Sequence, residues 1–207
     1  MNRFEKDSVS GLSPNVFAFA MTLLVLDIPV PLLPRAAPES ALVHALSALW
    51  PSFLTYVVSF SMLAGYWVAH RSLLRFIVSV DRAFLWVNLC FLMFIAFLPF
   101  TTHLASVYPD RPVAIMSYGG TALATLLSLY AQWHYATGRA HLVPPTLEAD
   151  LIRYGKWRPL LPVAVCVVSI AAAPVAPRLG LFLLVAMPAV TMWTNRSDFA
   201  AAQHAGK

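Results

Sequence analysis

The sequence predicts an all-α integral membrane protein: one domain, residues 1–207, of six transmembrane helices with both termini in the cytoplasm. Three observations predict it. First, 59% of the residues are apolar and only 11% are charged, against about 25% charged in water-soluble domains. That leaves too little polar surface to face water. Second, the charges are bunched. Stretches free of Asp, Glu, Lys and Arg cover 8–26, 40–70, 83–109, 112–138, 159–177 and 179–195, and crossing a hydrocarbon core takes roughly 20 apolar residues. Third, the basic residues divide unequally between the two sides. With the N-terminus inside, Arg3, Lys6, Arg71, Arg75, Arg82, Arg139, Arg153, Lys156, Arg158, Arg196 and Lys207 are cytoplasmic, which is eleven of the fourteen, and only Arg35, Arg111 and Arg178 are outside. Such a bias is what orients membrane helices.

The six predicted spans are about 14–32, 47–69, 83–106, 113–136, 159–176 and 179–195. In the first, Ser13 reads as an N-cap and Pro14 as the first helical residue, where a missing N–H costs nothing. Pro29, Pro31 and Pro34 end it, giving a helix of about 15 residues, roughly 23 Å. That is short for a lipid-facing span but suits the centre of a bundle. The second, third and fourth spans are long and uninterrupted by charge. The loop 139–158 is the longest inside segment; Thr146 is placed to cap a short interfacial helix carrying Leu147, Leu151, Ile152 and Tyr154. The last 36 residues of apolar sequence are read as two spans divided at Arg178. Trp50, Trp67, Tyr108, Tyr118, Trp133, Tyr135, Trp157 and Trp193 fall near span ends, as an aromatic belt requires.

Several function classes are unsupported. The sequence has no GxSxG, HExxH, CxxC or phosphate-binding glycine loop, so nothing reads as an enzyme. The two cysteines, Cys90 and Cys166, lie within spans and form no disulfide framework or metal spacing. The histidines at 44, 70, 103, 134, 141 and 204 lie near span ends without ligand spacing. The net charge of +5 orients the chain in a bilayer and does not imply nucleic-acid binding. Asp27 is the one carboxylate well inside an apolar run. Such a residue is costly and points to function, although it is also placed to mark the outer end of the first span. There it would add to the negative end of the helix dipole and attract cations. Asn15, Phe19, Thr22, Leu23 and Leu26 share one face of this helix. Around a symmetric axis they would form rings able to gate by dewetting; otherwise they are an ordinary packing stripe. Arginine outnumbers lysine 11 to 3, in keeping with a GC-rich bacterial genome and so with a multi-pass protein of a bacterial inner membrane.

Three stretches together resemble a known family. Val16-Phe-Ala-Phe-Ala-Met-Thr-Leu-Leu-Val-Leu-Asp-Ile-Pro-Val-Pro31 is similar to the first helix of bacterial members of the transmembrane protein 175 family, relatives of the lysosomal potassium channel. Tyr66-Trp-Val-Ala-His70 resembles the end of its second helix, and Asp81-Arg-Ala-Phe-Leu-Trp-Val-Asn88 the start of its third, a likeness that continues to Thr101. The resemblance implies six helices per subunit, cytoplasmic termini and a homotetramer in the bilayer. It implies a potassium-selective or weakly selective cation pore lined by the first helix, with K+ as permeant ion and no cofactor. By position it places the apolar constriction at Phe19, Leu23 and Leu26, the hydroxyl at Thr22 and the pore mouths at Asn15 and Asp27. Ser13, His70, Trp86 and Asn88 become the polar support between helices. Two departures stand out. The family's Phe-Ser-Asp tripeptide reads Leu12-Ser13-Pro14 here, and Phe19 occupies a position where a smaller aliphatic residue is usual. A diverged, non-conducting scaffold or a proton-conducting member is the alternative those departures leave open.

Overall fold

The computed structural model of the chain describes residues 7–138 and 142–191, with side chains from residue 11 onward. The two predicted cytoplasmic termini lie outside the described residues, as do Arg3, Lys6, Arg139, His141, Trp193, Arg196, His204 and Lys207. The regular elements are helices: α1 (Asp7–Leu23), continued by a 3₁₀ turn at Leu24–Asp27, then α2 (Glu39–Ala48), α3 (Trp50–Arg75), α4 (Arg82–Val107), α5 (Pro112–Gly138), α6 (Ala149–Trp157), α7 (Leu160–Ala172) and α8 (Pro177–Val185). Four apolar stretches are long enough to cross a membrane: α3, α4, α5 and the α6–α7 run of Ala149–Ala172. Two shorter apolar helices cover Gly11–Asp27 and Pro177–Thr191.

Local chemistry sets several of these boundaries. Asp81 has an extended backbone and its carboxylate accepts the Phe84 N–H at 2.9 Å, capping α4. Pro51 lies in the first turn of α3, which needs no amide hydrogen there. Pro99 lies inside α4 and removes one rung of its ladder. Beside it the buried Thr101 and Thr102 hydroxyls donate to the Leu98 carbonyl at 3.1 and 2.9 Å, so these polar side chains are satisfied within their own helix.

Three predicted boundaries need correction. α1 does not begin at Ser13-Pro14: it runs unbroken from Asp7, with Pro14 inside it and Ser13 buried. A helix packed within a bundle tolerates the amide that Pro removes. α3 does not stop at 69 but continues through Arg71 to Arg75, because charge marks where a helix leaves hydrocarbon and not where it ends. The helix after 139 starts at Ala149, preceded by Glu148 in the cap position, and Thr146 does not cap it.

The helices pack in the order α1, α4, α5, α7 and α8, with α3 against α1, the 3₁₀ turn and α4. α6 lies against α5, where Trp133 Nε1 donates to the Ile152 carbonyl at 3.3 Å. One core gathers Phe17, Leu24, Met62, Tyr66, Phe91, Ile95, Leu126, Cys166 and Leu184. A second, around Ile77, Val80, Phe84, Trp133 and Leu142, fills the end of the bundle where α3 and α5 finish and α4 begins. Small residues bring α7 close to α8 and to α5. A Cβ on Gly180 would stand 2.8 Å from the Ser169 carbonyl, and one on Gly119 would stand 2.8 Å from Ile170.

Candidate functional site

α1 has two unlike faces. Ser13, Phe17, Ala20 and Leu24, spaced by four, three and four, are buried. Asn15, Phe19, Thr22 and Leu26 repeat that spacing two residues later, and all four are exposed. A step of two residues turns about 200° around a helix, so the two sets oppose each other. Phe19 is 72% exposed, Leu26 76% and the flanking Leu23 48%. The helix thus turns bulky apolar side chains away from its own subunit. Thr22 Oγ1 donates to the Phe19 carbonyl at 2.9 Å. That bond uses the only hydrogen of the hydroxyl and leaves its lone pairs on the exposed face.

The buried face is held by polar groups from three helices. Asn88 Nδ2, on α4, donates to Ser13 Oγ at 3.4 Å, and its Oδ1 accepts from His70 Nε2, on α3, at 2.9 Å. An accepting Oδ1 requires the Nε2–H tautomer of His70. The imidazole is stacked on Phe91, ring centroids 4.8 Å apart, with Phe17 at 6.2 Å on α1. His70 is 2% exposed, so it is a core residue and not the interfacial one its place near a span end suggested. Ser13, His70 and Asn88 therefore meet in one cluster. Trp86 does not join it. Two residues before Asn88, it lies on the opposite side of α4, 66% exposed.

At the other end of α1, the Asp27 carboxylate is 3.4 Å from His103 Nδ1 on α4. Both are partly exposed, so a titratable pair stands beside the apolar stripe at its 3₁₀ end. His44 and His134 are exposed. Cys90 and Cys166 are unpaired, and among the described residues no group of three His, Cys, Asp or Glu could hold a metal.

Two features of the site were not anticipated from the sequence. Gln132, on α5, is fully buried beside His70, close enough to act on the ring, yet neither its Nε2 nor its Oε1 closes a hydrogen bond of ordinary geometry. A glutamine on the inner face of an apolar helix was the available signal. Asp81 is the other: besides capping α4, its Oδ2 accepts the Tyr135 hydroxyl at 2.7 Å, tying the start of α4 to the end of α5. Its position directly before a helical apolar run was readable as an N-cap.

The model of the endosomal/lysosomal potassium channel TMEM175 family matches residues 9–99, which hold most of α1, all of α2 and α3 and most of α4. A potassium channel of Streptomyces collinus is 38% identical over 158 residues, covering 74% of this chain and 75% of that protein. A potassium channel of Chamaesiphon minutus is 36% identical over 64% of this chain and 66% of its own length. The human endosomal/lysosomal proton channel TMEM175 is 35% identical over 112 residues, 52% of this chain but 22% of the human protein. The fold matches the crystal structure of a lysosomal potassium-selective channel TMEM175 homolog from Chamaesiphon minutus, with a TM-score of 0.75, 27% identity and coverage of 93% of this chain and 97% of that one. A fold shared along nearly the whole length, and a relative more than a third identical over three quarters of it, place this all-helical membrane protein in the TMEM175 channel family.

Proposed function

We propose that four copies of this chain surround a pore lined by α1, and that the pore passes potassium ions across a bacterial cell membrane. α1 with its 3₁₀ turn, α3, α4, α5, α7 and α8 with the residues that follow it are the six spans, both termini facing the cytoplasm. The observation that carries this reading is the exposed stripe of α1. A helix fixed from behind by buried polar groups, and presenting Phe19, Thr22, Leu23 and Leu26 outward, has an apolar face that its own subunit leaves uncovered. Four such faces around an axis give rings of phenyl and leucyl groups that expel water when narrow, a ring of hydroxyls at Thr22 with lone pairs free for a cation, and mouths at Asn15 and Asp27. Asp27 and the C-terminal dipole of α1 favour cations at the outer mouth. Ser13, Asn88 and His70 hold each α1 at its radius. The bacterial relatives named as potassium channels support the choice of ion; no resident cofactor is required.

Potassium uptake into liposomes, measured without valinomycin, tests the proposal. Wild-type tetramers should carry potassium, and Phe19→Ala should raise the flux by removing the bulkiest side chains from the constriction. No flux from either form, with the tetramer verified, would leave a non-conducting scaffold and overturn the channel reading. One observation favours a second permeant: vertebrate relatives are named as proton channels, and the Asp27–His103 pair offers a titratable site at the mouth. A pH-sensitive dye trapped in the same liposomes separates protons from potassium.

A further inference from the structure

One cavity lies away from α1. It holds about 370 Å³ between α3, α5, α6 and the start of α7, with Gly65, Leu126, Leu129 and Pro162 among its walls and Arg75 and Arg158 at its rim. That size is in the usual range of ligand pockets, about 300–1,000 Å³. We propose that it binds one anionic phospholipid from the leaflet on the Arg75 side, the acyl chain inside the bundle and the phosphate at Arg75 and Arg158.

Shape, chemistry and place all support that occupant. Along α3 the lining runs from Gly65 to Phe76, eleven residues or ~16 Å of helix rise. That is about half of a 30 Å hydrocarbon core, the depth of one leaflet. The deep wall is apolar, and the charged groups lie at the end of α3 and at the two ends of α6. There Arg75 is exposed in the last turn of α3, and Arg158 follows α6 directly. Glu148 is also on the rim and Asp150 is in the first turn of α6, but Arg75 and Arg158, with Arg153 and Lys156 on α6, outnumber the two acids. Trp157 is 65% exposed, as an indole anchored at headgroup level would be. Basic pockets between membrane helices at an interface are suited to anionic headgroups. The cavity shares no residue with the exposed stripe of α1, so lipid binding stands or falls independently of conduction.

The test is native mass spectrometry of the purified full-length protein titrated with phosphatidylglycerol or phosphatidylcholine. The wild type should retain one phosphatidylglycerol per subunit in preference to phosphatidylcholine. R75A/R158A should weaken that binding roughly thirtyfold, as loss of two cationic contacts implies. Leu129→Trp, which fills the cavity and leaves the rim charges in place, should remove the bound lipid as well. Equal retention by wild type and R75A/R158A, no preference between the two lipids, or retention by Leu129→Trp would each overturn the proposal. So would a wild type that keeps no lipid, the result expected if protein fills the cavity.

Discussion

Among the described residues α1 and α8 are the two shorter apolar helices, and they are held in different ways. α8 is drawn against α7 by close backbone approach, with Leu179, Phe182 and Val185 left exposed. Gly180 lets it approach α7 until Ser169 Oγ donates to the Gly180 carbonyl at 2.8 Å, and Leu184 and Met187 in this segment are fully buried. Its first turn is tied to the loop before α5 by Arg178, whose guanidinium grips Asp110 at 2.6 and 3.2 Å. α1 is held by side-chain amide, hydroxyl and imidazole groups on one face and leaves a row of apolar residues uncovered on the other. Backbone proximity to α7 fixes α8. At α1 a directional polar anchor aims an apolar face outward. Length and composition do not separate the two helices; what lies behind each of them does.

Breaking the α7–α8 contact should cost the most. Gly180→Leu drives a side chain into a backbone carbonyl that cannot rotate away. It should destabilise the subunit by about 3 kcal/mol or more, seen as loss of monodisperse protein at a lower temperature in detergent, with flux lost only because the fold is lost. Asn88→Ala should come next. It strands His70 and Ser13 without their shared partner, at about 1–3 kcal/mol for a buried group left unpaired. Here flux should fall at temperatures where the protein is still folded, since α1 loses its anchor. A fall in flux that merely followed melting would make α1 another α8.

Arg178→Gln should have the smallest effect, and its pH dependence carries the information. The Arg178 guanidinium holds the Asp110 carboxyl below its ordinary 3.8. A carboxyl depressed in the fold adds stability above its unfolded pKa and loses it as pH falls through the folded one. The wild type should therefore melt slightly higher than the variant near neutral pH, with the gap closing below about pH 4. Both groups are well exposed, so added salt should narrow the gap too.

The long apolar helices were largely legible because bilayer solvation writes itself into the sequence as charge-free runs. Boundaries were less so. Arg71 ends a charge-free run but not a helix, since α3 continues to Arg75, and Ser13-Pro14 has the same letters whether it starts a helix or lies inside one. α2 is a separate helix, divided from α3 at Leu49, where the predicted span from 47 merged their ends. Trp50-Pro51 was the visible mark. At the site, the spacing that put Asn15, Phe19, Thr22 and Leu26 on one face was readable, but which face the subunit covers was not: Phe17 and Phe19 are alike as residues, and only the position of α4 buries one and exposes the other. The cluster of Ser13, His70 and Asn88 came from family resemblance. Gln132 went unseen because burial of a polar residue inside an apolar helix depends on partners far along the chain.

The central claim is that the exposed stripe of α1 faces the permeation path. Cadmium block of potassium flux through Thr22→Cys in a Cys90→Ser background tests it most directly, since several thiolates around one axis bind the ion tightly and Cys90 is the exposed native thiol. Micromolar cadmium should stop flux through Thr22→Cys and spare the Cys90→Ser parent. Undiminished flux through a cadmium-treated, tetrameric Thr22→Cys would place the pore elsewhere.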